Sequence, residues 1–393
     1  MKKILIISFS TLHNDPRVLR QIQALKNDYQ ILTIGDTPAN DENIIHYNTN
    51  EPKPFKKRTI LQKIVRRLKL YSYINKNYHG FYPKILAFKN SFMYIFTHNI
   101  IQPDLIIANE SSGLYLASNL NRKNNWNAKI YFDAHEYTPK ADNSLKWRLF
   151  REPIIIKELL FCKQDISIMS TVSDGIAKEY EKLFNFQNGF IKIITNAPEY
   201  NKELKPKEIK NNKIKIIHHG SASKTRRFDL MFKMMDFLNP EIYELTLMLV
   251  PTQQKYYNYL LKLSKKYKNI KFIDPVPFSE IVSTLNSYDI GIFLLLPEIF
   301  NFKYALPNKL FEYIQARLAI AIGPSIEMVK IVKKYNLGIY SKDFTPKSLA
   351  ESVKQLTPEN IMEYKINSDI YAKELSAENN INIIRNIISE LSS

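Results

Sequence analysis

Cysteine and glycine are scarce in this sequence, since 393 residues contain one cysteine and nine glycines. Because Cys162 has no second cysteine to pair with, an intramolecular disulfide and a cysteine-cluster metal site are excluded, and a reducing compartment is expected. We expect Cys162 itself to be a small, buried apolar residue. With so few glycines, one that follows a predicted strand is a stronger indicator of a close backbone approach to a ligand.

Long apolar runs are also missing. No uninterrupted stretch approaches the roughly 18 residues that a membrane-spanning helix needs. The opening MKKILIISFS has two lysines before an apolar run, as a signal peptide does, but it passes into polar HNDPR without a small-residue cleavage site. A first buried strand explains this opening better. The sequence therefore predicts a cytoplasmic protein, or one attached to a membrane face.

Acidic residues are absent from segment 52–103, which contains eleven lysines and arginines in a chain of formal net charge +18. Within it Leu61, Ile64, Val65 and Leu68 have the spacing of one helix face, so a helix here would be apolar on one side and basic elsewhere. That pattern is typical of a helix lying on an anionic bilayer. It fits equally well a stripe packed on the protein's own core. Nucleic-acid binding is a weaker possibility, because zinc-finger, RNA-binding and helix-turn-helix patterns are all missing.

Several nucleotide-binding and hydrolytic motifs are missing as well. The sequence contains no GxxxxGK[ST], GxGxxG or GxSxG motif, so kinase, dehydrogenase and hydrolase functions lose their main signatures. It also has no Asp-x-Asp that would hold a metal-bound nucleotide sugar. No metal site is predicted.

Short apolar segments alternate with helical ones throughout the chain, and this alternation predicts an α/β protein whose parallel sheets have crossover helices. The predicted strands are KKILIIS, YQILTIG, DLIIANE, AKIYFDA, DISIMST and IKIIT in the first half, and IKIIHHG, LTLMLV, IKFID, DIGIFLLL, AIAIG and LGIY in the second. The main predicted helices of the first half are 16–27, 111–121, 147–162 and 174–183.

The chain is too long for one core, and we predict two doubly wound, Rossmann-like domains. The first spans 1–198 and includes the basic segment 52–103. A polar linker leads to the second domain, 213–375. A C-terminal helix, 376–393, is expected to pack back on the first domain.

Ligands of such sheets bind beyond the carboxyl ends of the strands, so the polar residues there are the site candidates. After the first strand, Asp15 and Pro16 indicate a helix start with Arg17 in its first turn, either as a ligand or on a capped surface helix. After AKIYFDA, His135 could donate to or polarise a sugar or phosphate oxygen. A lone histidine is more often structural, but Asp133 and Glu136 beside it strengthen the functional interpretation. No third ligand accompanies His135 and Glu136, which disfavours a metal site.

Two further candidates lie in the second half. In HHGSASKTRRFDL, Gly220 would let the backbone approach a ligand, and Arg226 and Arg227 could bind a diphosphate, although paired arginines are often surface charge. In YALPNKLFEY a helix starts at Asn308, and its first amides would face an anion with Lys309 beside them. Glu312 could accept both hydroxyls of a ribose, or be a first-turn acid favoured by the helix dipole.

These segments in this order resemble the GT-B glycosyltransferases, specifically glycosyltransferase family 4, the group 1 family. The resemblance covers nearly the whole chain and is carried by NDPRVLRQIQAL, YFDAHEY, STVSDGIAKEY, ITNAP, HHGSASKTRRFDL and YALPNKLFEY. It implies two doubly wound domains facing a cleft, with the nucleotide-sugar donor held mainly by the second and the acceptor mainly by the first. It also implies transfer that normally needs no metal and usually retains the anomeric configuration.

The resemblance also implies roles for single residues. Glu312 would hold the ribose of the nucleotide, while Arg226 and the backbone near Asn308 would hold the diphosphate. His135 would face the transferred sugar, and the backbone near Val276 would border the base. Gly220 and Lys309 complete the donor side, and Arg17 is the acceptor-side candidate.

The sequence departs from the family pattern at two positions. Tyr304 stands where the pattern Glu, seven residues, Glu has its first glutamate. Glu298 is near but out of register, and it joins His135 as a catalytic candidate. Ser221 stands where an arginine often follows the glycine of the second domain, and Lys309 is expected to compensate by its charge.

The resulting hypothesis is a glycosyltransferase of the hexosyltransferase type, located peripherally on the cytoplasmic face of the inner membrane. It would move a sugar from a UDP- or GDP-sugar, with no other cofactor, to a cell-envelope glycan or lipid-linked acceptor such as a lipopolysaccharide or capsule precursor. Two alternatives remain open. One is a non-catalytic GT-B partner that docks on membranes, motivated by Tyr304 and Ser221, and the other is a sugar-nucleotide epimerase.

Overall fold

A computed structural model describes residues 1–49, 100–210 and 213–392 of the chain, and in them the strands form two sheets. The first sheet contains β1 (Lys3–Ile7), β2 (Gln30–Gly35), β3 (Ile45–Asn48), β4 (Leu105–Asn109), β5 (Lys129–Ala134), β6 (Ile166–Thr171) and β7 (Ile191–Ile193). The second contains β8 (Ile214–Ser221), β9 (Tyr243–Val250), β10 (Ile270–Ile273), β11 (Ile290–Phe293), β12 (Ala319–Ile322) and β13 (Gly338–Tyr340).

Helices follow most of the strands, as a crossover topology requires. They are α1 (Pro16–Leu25), α2 (Glu110–Asn124), α3 (Glu152–Cys162), α4 (Asp174–Phe184), α5 (Asp229–Met235), α6 (Gln254–Ser264), α7 (Ile281–Leu285), α8 (Phe300–Lys303), α9 (Asn308–Gln315), α10 (Ile326–Lys334), α11 (Pro346–Lys354), α12 (Pro358–Tyr371) and α13 (Ala377–Ser392). A π-helical stretch, Trp147–Arg151, precedes α3. The helix starts are encoded locally: Asp15 accepts from the backbone amides of Arg17 and Val18 and so caps α1.

Both sheets have their first strand in a central position. The strand orders are β3-β2-β1-β4-β5-β6-β7 and β10-β9-β8-β11-β12-β13. In the first sheet β1 pairs in parallel with β2 on one side and β4 on the other. In the second, β8 pairs in parallel with β9 and β11. The direction of winding therefore reverses beside β1 and beside β8, and the carboxyl ends of these strands are the places where such sheets bind ligands.

The chain divides into two compact units. One takes the described residues of Met1–Asp133, Glu158–Met169 and Ile388–Ser393, and the other takes those of Ala134–Lys157 and Ser170–Ile387. The core of the second unit is built from the apolar strands of the second sheet and the apolar faces of its helices. Within the first unit, Nζ of Lys2 donates to the carbonyl oxygen of Ser392 over 2.6 Å, which anchors the end of α13.

The predicted α/β architecture with two doubly wound sheets is confirmed. Each predicted strand and the four helices predicted for the first half are present, with ends shifted by a few residues. The sequence did not predict β3, because this edge strand is partly exposed along its length and has only one aliphatic residue, Ile45. The predicted domain boundaries stay predictions. The interfacial helix predicted from Leu61 to Leu68 lies outside the described residues, as does nearly all of the basic segment.

Among residues 1–49, 100–210 and 213–392, no helix is long and apolar enough to cross a membrane.

Gly291 in β11 leaves space for the ring of Tyr313 because it has no side chain. A Cβ built on it would lie 2.3 Å from Cγ of Tyr313, whose ring covers this part of the strand. We expect Gly291→Ala to lower the free energy of unfolding by about 1–3 kcal/mol through overpacking. Urea denaturation of the variant and of the wild type measures this difference.

The double variant Gly291→Ala/Tyr313→Leu provides the control. If the ring is the cause, the double variant will be less destabilised than the sum of the two single variants. Additive effects of the two substitutions would contradict this explanation.

Candidate functional site

The winding of the second sheet reverses between β8 and β11, and the candidate site lies at the carboxyl end of these strands. Gly220 has φ +127°, a backbone conformation that favours glycine. A Cβ built on it would lie 3.3 Å from Nζ of Lys309, so a larger residue would crowd the ammonium group. Pro307 precedes the first residue of α9 and has no side chain that could cap the helix, so the first amides of α9 stay available to an anion.

Lys309 is held in surroundings that disfavour its charge. Nζ lies 4.2 Å from the ring centroid of Phe293, the last residue of β11. Burial and the nearby Arg226 guanidinium lower the pKa of Lys309 to about 7, although the Glu312 carboxylate opposes the shift. The residue as a whole is half-buried. A bound anion would favour the protonated ammonium, so this lysine is suited to binding a diphosphate.

Glu312, predicted to hold a ribose, faces a histidine that the sequence analysis did not select. Oε2 of Glu312 lies 3.1 Å from Nε2 of His219, and both side chains are almost fully buried. The approach of the two atoms does not have hydrogen-bond geometry, so each group keeps capacity for another partner. The ring of His219 also meets that of Tyr313 edge-on at 5.5 Å between centroids. The only sequence indication was the position of His219 at the end of a strand, next to Gly220.

His218, which precedes it, is buried and neutral. Its Nδ1 lies 2.8 Å from the carbonyl oxygen of Ile292, and because a carbonyl only accepts, Nδ1 must be the protonated nitrogen. Burial and the charge of Lys309 lower the pKa of His218 well below its ordinary value. Nε2 of His218 is then an acceptor without a hydrogen-bond partner in the part of the chain that the structure describes.

The paired arginines have different surroundings. Arg227 is bound by Asp229, with Nε 3.1 Å from Oδ1. Arg226 instead lies with its guanidinium carbon 5.1 Å from the ring centroid of Phe302, and burial lowers its pKa while the charge of Glu136 opposes the shift. Of the two, Arg226 is therefore the diphosphate candidate, in agreement with the role that the resemblance implies for it.

Glu136 is a second residue that the sequence analysis did not place in the site. Burial raises the pKa of its carboxyl, and Arg226 and Asn301 oppose the shift. Nδ2 of Asn301 donates to Oε2 of Glu136 over 3.1 Å. The available sequence indication was its position beside His135, which follows β5 and is half-buried.

The remaining candidates lie at the edges of this arrangement. Asn308 is exposed as the first residue of α9, and Val276 follows β10 in a loop and packs partly on the core. Glu298 is exposed. Its charge contributes to the raised pKa of Arg227 but does not affect the pKa of Arg226. The structure thus gathers Gly220, Arg226, Lys309 and Glu312 more closely than it does Glu298.

Tyr304, in the place of the expected glutamate, is used for packing. A Cβ built on Gly175 in the first turn of α4 would lie 2.0 Å from Cδ1 of Tyr304. Oγ of Ser173, the residue before α4, donates to the carbonyl oxygen of Tyr304 over 2.8 Å and makes no capping hydrogen bond to α4. The Tyr304 ring also lies 4.9 Å from that of Phe300.

Arg17, the acceptor-side candidate, is buried in the first unit at the ends of β4 and β5. Its Nε and one terminal nitrogen donate to the two carboxylate oxygens of Asp133 over 2.8 and 2.6 Å. Gln21 donates to Asp133 over 2.7 Å and exchanges hydrogen bonds with Asn109. The guanidinium of Arg17 is thus bound by a carboxylate within the first unit, and its acceptor-side role stays a prediction.

No group of three or more histidine, cysteine, aspartate or glutamate side chains in the described ranges is arranged to hold a metal ion.

Removal of the Asp133 charge tests the role of the Arg17–Asp133 ion pair. Asp133→Asn removes the carboxylate that binds the buried guanidinium of Arg17, so we expect the free energy of unfolding to fall by about 3–5 kcal/mol. Urea denaturation followed by circular dichroism gives the value. The matched control is Asp41→Asn, which removes the partly exposed partner of the exposed Lys26 and should change stability little. Equal stability of the two variants would show that the Arg17–Asp133 pair is dispensable.

No family model matches the chain, and no curated protein matches it by sequence. Solved structures do match it over its whole length. Sucrose-phosphate synthase from Thermosynechococcus elongatus has a TM-score of 0.72 and 11% identity, with 100% of this chain and 99% of that chain covered.

HepE from Anabaena, solved with UDP, has a TM-score of 0.68 and 10% identity, with coverages of 99% and 100%. WaaG, a glycosyltransferase involved in lipopolysaccharide biosynthesis, has a TM-score of 0.60 and 12% identity, with coverages of 97% and 99%. At such identities the likeness shows the fold alone. The chain therefore has the GT-B fold that the sequence predicted, and its assignment to family 4 stays a prediction.

Proposed function

We propose that this protein is a glycosyltransferase that transfers a sugar from a nucleotide-sugar donor. The observation that carries the proposal is the convergence of Lys309, Arg226 and the first amides of α9 beside Gly220. Two cations with lowered pKa values at a ligand-binding sheet edge favour a polyanion over a neutral ligand. Glu312, one turn into the same helix, supplies an acceptor for the hydroxyls of a ribose next to that anion.

A nucleoside diphosphate matches this arrangement group by group. The diphosphate takes the two cations and the helix-start amides, and each charge-assisted hydrogen bond contributes roughly 1.5–3 kcal/mol. The ribose takes Glu312, whose carboxylate is not engaged in a well-formed hydrogen bond with His219. Val276, after β10, borders the base. UDP-sugars are the first donors to test, because HepE was solved with UDP, and GDP-sugars are the second.

The transfer step that we propose retains the configuration of the sugar and uses no metal. The bond between the anomeric carbon and the phosphate oxygen breaks, and a bond from that carbon to the acceptor oxygen forms on the same face. The acceptor's hydroxyl proton goes to the departing phosphate oxygen. Lys309 and Arg226 stabilise the negative charge that develops on this oxygen, which is electrostatic stabilisation of the transition state. His135 faces the transferred sugar.

The acceptor in this proposal is a cell-envelope glycan or its lipid-linked precursor. Support comes from the basic segment 52–103, whose cations would attract the protein to an anionic membrane face, and from the lipopolysaccharide role stated for WaaG. The protein would then work peripherally at the cytoplasmic face of the inner membrane.

The packing of Tyr304 favours one alternative, a non-catalytic GT-B partner. If catalysis required a carboxylate at position 304, the protein would bind the nucleotide but would not transfer the sugar. Transfer of labelled sugar by the isolated chain would exclude this alternative.

Nucleotide binding is tested with UDP, GDP and UDP-glucose by thermal shift and calorimetry. We expect at least one of them to bind, and Glu312→Gln to weaken its binding about tenfold, because the uncharged amide makes weaker hydrogen bonds to the ribose hydroxyls. Glu241→Gln is the matched control, since Glu241 is exposed and precedes β9 at the other end of the strands. Full affinity in a folded Glu312→Gln variant would remove the ribose role, and a lack of binding by the wild type would overturn the proposed function.

The pKa of Lys309 predicts how donor affinity depends on pH. A group with a pKa of about 7 is partly neutral at neutral pH, and a bound diphosphate favours its protonated form, so binding takes up a proton. The affinity for UDP-glucose should therefore fall as pH rises above 7, by up to about tenfold per pH unit. UDP-glucose is preferred to UDP because its diphosphate gains no proton in this range.

Lys309→Arg and Lys309→Met separate this lysine from the other titrating groups near it. Arginine keeps its charge throughout, so Lys309→Arg should bind with little pH dependence between pH 6 and 9, a range far below the pKa of a guanidinium of about 12 or more. Lys309→Met should bind weakly at every pH. Parallel pH profiles for the wild type and Lys309→Met would assign the dependence to another group.

A further inference from the structure

Glu136 is an exposed residue with a fixed carboxylate. Oε2 accepts a hydrogen bond of 3.1 Å from Nδ2 of Asn301, a residue only 4% exposed. The backbone around Glu136 is fixed as well: the hydroxyl of Tyr180 donates to its carbonyl oxygen over 3.0 Å, and Oδ1 of Asn301 accepts from the amide of Tyr137 over 3.0 Å. One buried asparagine thus orients both the side chain of Glu136 and the peptide that follows it.

The nearby Arg226 guanidinium limits the kinds of group that Glu136 can bind. It lies near enough to Arg226 for each charge to oppose the shift that burial causes in the pKa of the other. A carboxylate repels phosphate, so Glu136 is not itself a diphosphate ligand. It is a hydrogen-bond acceptor next to a phosphate-binding arginine, and the groups of a nucleotide sugar that donate hydrogen bonds beside the diphosphate are the hydroxyls of the sugar.

Burial is the largest cause of the raised pKa of Glu136, and the charge of Arg226 and the hydrogen bond from Asn301 oppose it. The residue is nevertheless exposed, so the hydroxyl groups of a bound sugar can reach its carboxylate and donate hydrogen bonds to it. A purely internal role is the competing explanation, in which Glu136 serves only as a counter-charge that keeps Arg226 in place. The two explanations differ in what they predict for a ligand with a sugar and for the same ligand without it.

We propose that Glu136, oriented by Asn301, accepts hydrogen bonds from the hydroxyls of the transferred sugar and forms the sugar subsite next to Arg226. The proposal rests on the proposed function and deepens it. It also gives the site a sugar-facing carboxylate although Tyr304 is occupied in packing on α4 and Glu298 is exposed. The carboxylate comes from the loop after β5, and the segment that contains Tyr304 contributes Asn301, which holds it.

The test compares UDP with UDP-glucose by calorimetry on the full-length protein. For Glu136→Gln we expect UDP to bind within about twofold of the wild type, whereas UDP-glucose binds about tenfold more weakly because its charge-assisted hydrogen bonds are lost. Glu241→Gln, at an exposed glutamate distant from the site, should bind both ligands like the wild type. Unchanged affinity of Glu136→Gln for UDP-glucose would overturn the proposal, and so would an equal loss for both ligands, which indicates the counter-charge role.

A second variant separates position from charge. Glu136→Asp keeps the negative charge beside Arg226 but withdraws the carboxylate by one methylene, so UDP-glucose should again bind more weakly while UDP does not. Affinities equal to those of the wild type for both ligands would show that only the charge matters, and this would overturn the proposal. Failure of the proposed function is distinguishable from both outcomes, because the wild type itself would then bind neither UDP nor UDP-glucose.

Discussion

The packing of Tyr313 against Gly291 is the contact on which the candidate site depends. The ring occupies the space that a side chain in β11 would take, and its hydroxyl donates to the carbonyl oxygen of Ile292 over 3.1 Å. These contacts fix the rotation of α9 about its axis. Glu312 then faces His219 of β8, and Lys309, one turn earlier, reaches over Phe293 toward Gly220. The sheet register and one aromatic ring thereby set the positions of two candidate site side chains.

The electrostatics of the site follow from this placement. Lys309 and Arg226 both lose hydration, and Arg226 further lowers the pKa of Lys309, so two neighbouring cations are held in an unfavourable state. Glu136 and Glu312 offset that cost only partly, because they interact with the cations without tight ion pairs in the described residues. A diphosphate would satisfy both cations at once. Binding of an anion is therefore favoured in two ways: it compensates for the lost hydration and mutual repulsion of Lys309 and Arg226, and it forms new hydrogen bonds.

The sequence predicted most of the fold because buried parallel strands are nearly continuous apolar runs, and only the partly exposed β3 lacked that pattern. It also placed Gly220, Lys309 and Glu312 near one another, because topology brings the residues after β8 and β11 to the same edge. Contacts between side chains distant in sequence could not be predicted in this way. The pairing of Arg17 with Asp133 is one example, and the hydrogen bond from Asn301 to Glu136 is another.

Tyr304 shows why a departure from a family pattern does not by itself decide activity. Its ring lies against Gly175, its carbonyl accepts from Ser173, and the amide of Gly175 donates to Glu327 over 3.1 Å, so the start of α4 is shaped around an aromatic residue here. Binding of a sugar depends on the position of a carboxylate in the site and not on the segment of chain that supplies it. The short helix α8, directly before Tyr304, holds Glu136 through Asn301, so the same stretch of chain that lost a carboxylate fixes another one beside Arg226.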